Sequence, residues 1–287
     1  MPNYDTILIL GGQRTLDPSS GEAIQFNGNK QQLPTLPQPI FSYPSMLLHN
    51  EMIMLCGGSN NMKTCLKPQE GTWTNYNSLK IERYNAAVAS TNTATFIFGG
   101  WGSKDTYEYL EKNSSEWKLG KSKIPGGFSK GCSITISQDE IWLVGGRHTG
   151  KRILSFNVNY QTFTVLATKL KRGRTRHQCA IIPGTRHLLI TGGFFYDFND
   201  STDIIDVENR RISEGPPMNA KRADHGIGVL NIDGQERVVV FGGCSHQGVY
   251  PKIVELYNAQ APKWEPTNVE LGVGRIEFGF MTIKSQP

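Results

Sequence analysis

Six short runs of β-branched, aliphatic or aromatic residues recur along the chain, each closed by two glycines. They are ILIL before Gly11-Gly12, MIMLC before Gly57-Gly58, TFIF before Gly99-Gly100, IWLV before Gly145-Gly146, LLIT before Gly192-Gly193 and VVVF before Gly242-Gly243. Runs this short and this apolar, stopped by glycine, predict buried strands. Successive diglycines are 46, 42, 46, 47 and 50 residues apart, and recurrence at that interval marks a repeat architecture. A second strand follows each diglycine, as in Ile253-Val254-Glu255-Leu256-Tyr257. Seven or eight residues after its aromatic position stands another large residue, giving the pairs Phe26/Leu33, Cys65/Trp73, Tyr109/Trp117, Phe156/Phe163, Ile205/Ile212 and Tyr257/Trp264. A polar loop then leads to a further strand, often opened by arginine: Arg83, Arg176, Arg222 and Arg275, with Tyr43 and Ser129 in that column of the other two repeats.

Each unit therefore reads as a four-stranded antiparallel meander. One meander alone leaves both faces bare; six packed around an axis bury them and leave only short edges. Strand, Gly-Gly, a spaced Tyr and Trp, then Arg: the unit resembles the kelch repeat, six times in phase and over essentially the whole chain. The Tyr column holds Tyr only at Tyr109 and Tyr257, and the Trp column holds Trp only at Trp73, Trp117 and Trp264. The fold expected is all-β, a single six-bladed kelch β-propeller over 1–287. Its blades fall near 37–80, 81–125, 126–171, 172–217 and 218–270, with the last made from 271–287 and 1–36. The chain begins on a pre-diglycine strand and ends on an Arg-column strand, so the C-terminal strand is expected to close the ring by joining the N-terminal ones.

Composition changes this picture little. Aromatic residues make up 10% of the 287 residues, which supplies core mass and argues against disorder. A formal charge of +5 is too mild to indicate nucleic-acid binding, and no apolar run approaches the roughly 20 residues that span a bilayer. The opening Met1-Pro2-Asn3-Tyr4-Asp5 lacks a basic and an apolar leader region. The chain is expected to be cytoplasmic if Met1 is the native start and extracellular if this is a mature chain. Five cysteines (Cys56, Cys65, Cys132, Cys179, Cys244) without a CxxC pair argue against a zinc site or a dense disulfide framework. Cys56 and Cys65 flank one hairpin and could face each other; two reduced thiols are the expectation. Sequons stand at Asn113 and Asn199, a number chance supplies in so Asn-rich a chain.

In a meander, alternate loops share a face, so the loops after each diglycine and those before each Arg-column strand lie together. In kelch domains that bind peptides this face, around the central channel, is the docking surface, and the resemblance implies the same here. Three features gather on it. The first is the arginine column, Arg83, Arg176, Arg222 and Arg275, whose commoner role is to brace blades through backbone carbonyls. The second is the basic loop Lys169 to His177, carrying Arg174 and Arg176, with Arg147, His148, Lys151 and Arg152 in the preceding loop; these suit carboxylates or phosphates, or are simply solvated charge. The third is aromatic: Phe194-Phe195-Tyr196-Asp197-Phe198, together with Trp101 and Tyr84, a composition that matches interface hot spots.

No HxH or HExxH pair, GxSxG, P-loop or dinucleotide fingerprint occurs, so neither metal nor cofactor is signalled and no catalytic residue is assigned. The function expected is a non-enzymatic binding module that docks an acidic or aromatic partner, a protein or peptide, on the Arg-lined face. Two alternatives stand beside it. Gly226 to Gly243 is similar to kelch-only invertebrate extracellular proteins, which points to a secreted carrier of a small molecule or glycan. A sugar isomerase or mutarotase sited in the channel, using Arg222 or His225, is the other. Partner identity, further domains and oligomeric state are not encoded in any motif.

Overall fold

The computed structural model describes residues 5–13, 17, 19–40, 45–59 and 63–284. The repeat becomes six four-stranded antiparallel sheets. Blade 1 comprises Ser45–His49, Met52–Cys56, Cys65–Gln69 and Thr72–Tyr76, and blade 2 Ala87–Ser90, Ala94–Phe98, Tyr107–Glu111 and Lys118–Leu119. Blade 3 comprises Cys132–Ser137, Glu140–Val144, Arg152–Asn157 and Thr162–Lys169. Blade 4 comprises Gln178–Ile181, His187–Thr191, Thr202–Asp206 and Arg211–Gly215, and blade 5 Gly226–Ile232, Gln235–Phe241, Ile253–Asn258 and Lys263–Glu270. Blade 6 joins the two ends of the chain: Gly279–Ile283 pairs with Thr6–Leu10, followed by Gly21–Gln25 and Lys30–Leu33. The first strands of successive blades adjoin one another right around the axis, blade 6 to blade 1 included. The chain is thus an all-β six-bladed propeller, closed by its C-terminal strand.

The burial gradient explains the sequence pattern. The runs before the diglycines are the second strands, and Thr6–Leu10 and Ala94–Phe98 are buried at every position. Outermost strands such as Lys30–Leu33 are mostly exposed and polar. The core lies between blades: Phe96, Phe98 and Tyr107 of blade 2 pack on Phe128, Ile141, Leu143 and Phe156 of blade 3. Their rings meet edge-on, with Phe98–Phe156 centroids 5.3 Å apart and Tyr107–Phe156 5.0 Å apart. Large aromatics buried in this way carry much of the energy of a blade interface. The spaced large residues are direct cross-strand partners in blades 3, 4 and 5 (Phe156 with Phe163, Ile205 with Ile212, Tyr257 with Trp264). Trp73 instead faces Pro68, and Tyr109 faces Lys118, because hairpin lengths differ there.

The cysteines depart from expectation. Cys56 and Cys65 stand in register on neighbouring strands and form a disulfide, and Cys132 and Cys179 form a second between the first strands of blades 3 and 4. The two reduced thiols expected at Cys56 and Cys65 are therefore corrected. A residue and its counterpart one repeat away look remote in sequence, yet adjoining first strands put them in contact. Cys244 is free and buried, and burial aided by the Asp224 charge pushes its thiol up to about 12.

Candidate functional site

The loops after the diglycines meet the loops between blades at one end of the channel, and two-residue bridges tie them together. Tyr84 pairs with Trp101, Thr175 with Phe194, Ala223 with Cys244 and Gln13 with Ile276. The diglycines make this approach possible. Gly99 has φ +64, and a Cβ there would fall 2.0 Å from the Phe128 carbonyl oxygen, which no L side chain tolerates.

The arginine column lies inside this end rather than on it. Each guanidinium donates to the carbonyl of the first glycine of its blade: Arg83 to Gly99 at 2.7 Å, Arg174 to Gly192 at 3.0 Å, Arg222 to Gly242 at 2.8 Å and Arg275 to Gly11 at 3.0 Å. Each also faces an acid on the third strand. Arg83 reaches Glu108 at 3.0 Å, Arg174 Asp203 at 3.0 Å, Arg222 Glu255 at 2.9 Å, and Arg275 Glu22 at 3.7 Å. Burial draws all four guanidiniums below their usual range, and the acids oppose it. In blade 3 the arginine position is Phe128 and the acid position Leu154, and in blade 1 they are Ile40 and Leu66; all four residues are buried. Arginine and acid are present together or replaced together, as expected of a buried pair whose members are costly alone.

Two corrections follow for the column. Arg174, not Arg176, is its member in blade 4, since only Arg174 reaches the glycine carbonyl and the acid. The other two repeats place Phe128 and Ile40 there, the residues whose carbonyls accept from Gly100 and Gly12, instead of Ser129 and Tyr43. Tyr43 itself lies outside the described residues.

Two positions beyond the column stands a ring at the channel mouth: Asn85, Lys130, Arg176, Asp224 and Glu277, all left-handed, with φ between 52° and 57°. Their backbones form a belt across blades. Lys130 N–H donates to Asn85 O, Arg176 N–H to Lys130 O and Asp224 N–H to Arg176 O, at 3.1, 2.7 and 2.9 Å. Their side chains pair as well, Arg176 with Asp224 at 3.0 Å and Lys130 with Glu277 at 3.8 Å. The mouth is thus charged but balanced. The sequence reading missed this ring, although a column of polar residues two before the first strands of blades 2 to 6 was there to be seen. Behind it the channel encloses about 300 Å³, lined among others by Asn85, Lys130, Arg176 and His177.

One position further, His177 and His225 wedge against the diglycines of neighbouring blades. His177 Nε2 lies 3.0 Å from the Val144 carbonyl, so it must carry the proton, and burial with the nearby Arg174 charge pushes the ring down to about 3. His225 Nε2 lies 2.8 Å from Thr191 Oγ1, and burial likewise holds it far below its ordinary value. Both rings are neutral and built into the fold; Arg222 is built into it too, as a charged partner of Glu255.

The remaining candidates are at the surface, in two adjoining clusters. Trp101 is 43% exposed, packs beside Tyr84 with centroids 6.3 Å apart, and carries the Arg147 guanidinium 4.8 Å above its ring. Next to it, Phe194–Phe195 and Asp197–Phe198 form a small hairpin with Tyr196 at its tip. Tyr196 is 90% exposed at φ 63°, with its ring 4.4 Å from that of Phe195. Phe194 and Phe198 stack edge-on at 5.3 Å beneath. The Thr175–Phe194 bridge ties the hairpin to one basic loop, and a methyl group added to Gly173 of that loop would sit 3.6 Å from both the Phe195 ring and Gly150, so Gly173 stands between the hairpin and the other basic loop. Lys104, Arg147, Lys151 and Arg172 are exposed around it. Their field reaches His148, which burial and then Lys104 and Arg147 hold below its usual value. Among the described residues no group of His, Cys, Asp and Glu is arranged to hold a metal ion.

No family model matches the chain. It is 24% identical over 189 residues to a RING finger domain and kelch repeat-containing protein of Dictyostelium discoideum, covering 64% of this chain and 18% of that protein. It is 26% identical over 170 residues to Kelch-like protein 26 of Danio rerio, covering 55% of this chain and 27% of that protein. The match thus spans only about a fifth to a quarter of either relative. Kelch propellers are typically protein-binding modules. Six blades, a closed ring and these relatives agree: the chain is a six-bladed β-propeller that is similar, at modest identity, to kelch-repeat proteins.

Proposed function

We propose that this propeller docks an acidic, partly aromatic protein segment on its loop face, between the Trp101–Arg147 pair and the Phe194–Phe198 hairpin. Tyr196 carries the proposal. A bulky residue in the left-handed region costs roughly 1–3 kcal/mol, and here that strain holds an aromatic ring in solvent at the tip of a hairpin. Exposed aromatic area of this kind is a feature of recognition elements rather than of a stable core. Arg147 over Trp101, together with Lys104, Lys151 and Arg172, supplies the positive field that complements carboxylates. The buried arginines lend rigidity to this face without touching the partner, and Arg176 belongs to the balanced ring.

A display library of random peptides selected on the intact propeller tests this. The enriched peptides are expected to combine acidic and aromatic residues. Their affinity should fall at least tenfold in Tyr196→Ala and in Arg147→Glu, with the melting temperature unchanged. Enriched peptides that bind both variants as tightly as the parent would refute the proposed site.

The channel supports a second reading, a small polar ligand. Its volume is at the low end for small-molecule sites, and the buried Asn85 Oδ1 has no hydrogen-bond partner among the described residues. Thermal-shift screening with sugars and sugar acids tests it: stabilisation lost in Asn85→Ala supports the reading, and no stabilisation by any of them counts against it.

A further inference from the structure

Four of the five cysteines meet in pairs at two unrelated joints of the fold, one inside blade 1 and one between blades 3 and 4. All four are buried. In a chain this poor in cysteine, two such coincidences are the mark of a protein oxidised as it folds, and disulfides of this kind persist in secretory and extracellular compartments. The fifth cysteine does not disturb them. Cys244 is buried with its thiol pushed up to about 12, so it holds almost no thiolate at neutral pH to attack a disulfide.

The sequons take on weight in that light. Asn113-Ser114-Ser115 lies in the turn between Tyr107–Glu111 and Lys118–Leu119, at the end of the propeller opposite the loop face. The turn is pinned around it: Ser114 N–H donates to Glu111 O at 2.9 Å, His49 Nε2 lies 3.3 Å from Ser114 O, and Asn77 donates to Ser115 O. Asn113 itself is exposed, and its side-chain amide makes no hydrogen bond among the described residues. Beside it an open trough of about 560 Å³, lined by Tyr109, Asn159 and Gln161, gives a first sugar both a ring face and polar groups. Asn199-Asp200-Ser201 is the opposite case. Asn199 Nδ2 donates to Gly193 O at 3.1 Å, and its Oδ1 accepts from Ser201 Oγ at 2.9 Å. It is half-buried on the loop face, beside the aromatic hairpin.

We propose that this chain matures along a secretory route and carries an N-linked glycan on Asn113, on the side of the propeller away from its docking face, while Asn199 stays bare. The chemistry is balanced with ordinary co-reactants. Each cysteine pair gives two electrons and two protons to the disulfide of a thiol–disulfide oxidoreductase, which leaves as a dithiol. Asn113 Nδ2 loses one proton and bonds to the anomeric carbon of an oligosaccharide carried on a polyprenyl pyrophosphate, which departs. The glycan then shields an open trough and leaves Trp101 and Tyr196 clear.

The proposal is independent of what docks on the loop face, and its test is mass spectrometry of the protein isolated from its natural source. Peptide-N-glycosidase in heavy-oxygen water is expected to leave a labelled Asp at position 113 and an unlabelled Asn199. Cys56, Cys65, Cys132 and Cys179 are expected to resist alkylation until reduced, with Cys244 alkylated only after unfolding. For the chain secreted from eukaryotic cells, Asn113→Gln should remove one glycan mass and Asn199→Gln none. A bare Asn113 in the natural protein, a glycan on Asn199, or alkylation of the four cysteines without reduction overturns it.

Discussion

Replacing Arg174 tests whether the arginine column braces or binds. The guanidinium is almost wholly buried and donates to Gly192 O, Ser201 O and Ser201 Oγ at 3.0, 3.2 and 3.2 Å, besides pairing with Asp203 at 3.0 Å. Arg174→Leu leaves the Asp203 carboxylate, itself only 2% exposed, buried without its partner. Removing one member of a buried pair costs about 3–5 kcal/mol. Asp203→Leu alone strands the guanidinium and should cost a similar amount. The double change Arg174→Leu with Asp203→Leu approximates the all-apolar Ile40/Leu66 arrangement that blade 1 already uses. It removes both charges and should recover about 2 kcal/mol or more of the single losses, since well-packed apolar replacements of buried pairs are often near neutral. Urea unfolding followed by the fluorescence of the five tryptophans gives the four corners of the cycle, and the departure from additivity is the coupling. If Arg174→Leu unfolds within 1 kcal/mol of the parent, or the double variant is no better than the sum of the singles, the pair is not a brace.

Three further outcomes follow from the same geometry. His177 is held at about 3 against about 6.5 in the unfolded chain, so the unfolded state takes up the proton first. That stability is complete above pH 6.5 and is lost as pH falls toward 3, about 2 kcal/mol by pH 5. His225 acts in the same direction, and His225→Phe, the residue found at Phe278, should make stability measured by urea titration less steep between pH 7 and 5. Deleting the residues after Val273 removes the strand that pairs with Thr6–Leu10 and the Arg275 brace. A circular dichroism melt should then fall cooperatively by more than about 10 °C, and an unchanged melt would contradict ring closure. Gly193→Ala puts a Cβ 2.6 Å from Thr175 O at φ +97° and should cost about 2 kcal/mol or more in chemical unfolding; a neutral result would mean that this loop junction is not tightly packed.

The diglycine period made the fold legible because each repeat must end its second strand at the same close backbone approach. The strands before Gly11, Gly57, Gly99, Gly145, Gly192 and Gly242 are where the apolar runs put them. The arginine column was legible only in outline. Within Arg172-Gly173-Arg174-Thr175-Arg176 three arginines compete, and what selects Arg174 is the acid two residues into the third strand, a pairing that appears only when Glu22, Glu108, Asp203 and Glu255 are aligned together. The basic character of the face was read from cations alone, so the opposing Asp224 and Glu277 of the channel ring went unseen. Cys132 and Cys179 are 47 residues apart, a separation that means contact only once first strands are known to adjoin. The aromatic cluster was the most local signal. Apolar rings just after a diglycine, at Trp101 and Phe194 to Tyr196, stand where solvent would favour polar residues, and they are indeed exposed.

The docking face is the central claim, and hydrogen–deuterium exchange with a peptide selected on the propeller measures it most directly. Bound peptide should slow exchange in the segments 101–104, 147–152 and 194–198, and the protection should vanish in Tyr196→Ala. Protection confined to the opposite end, in the turns near Asn50, Asn92 and Asn113, with the hairpin exchanging as in the free protein, would contradict the account.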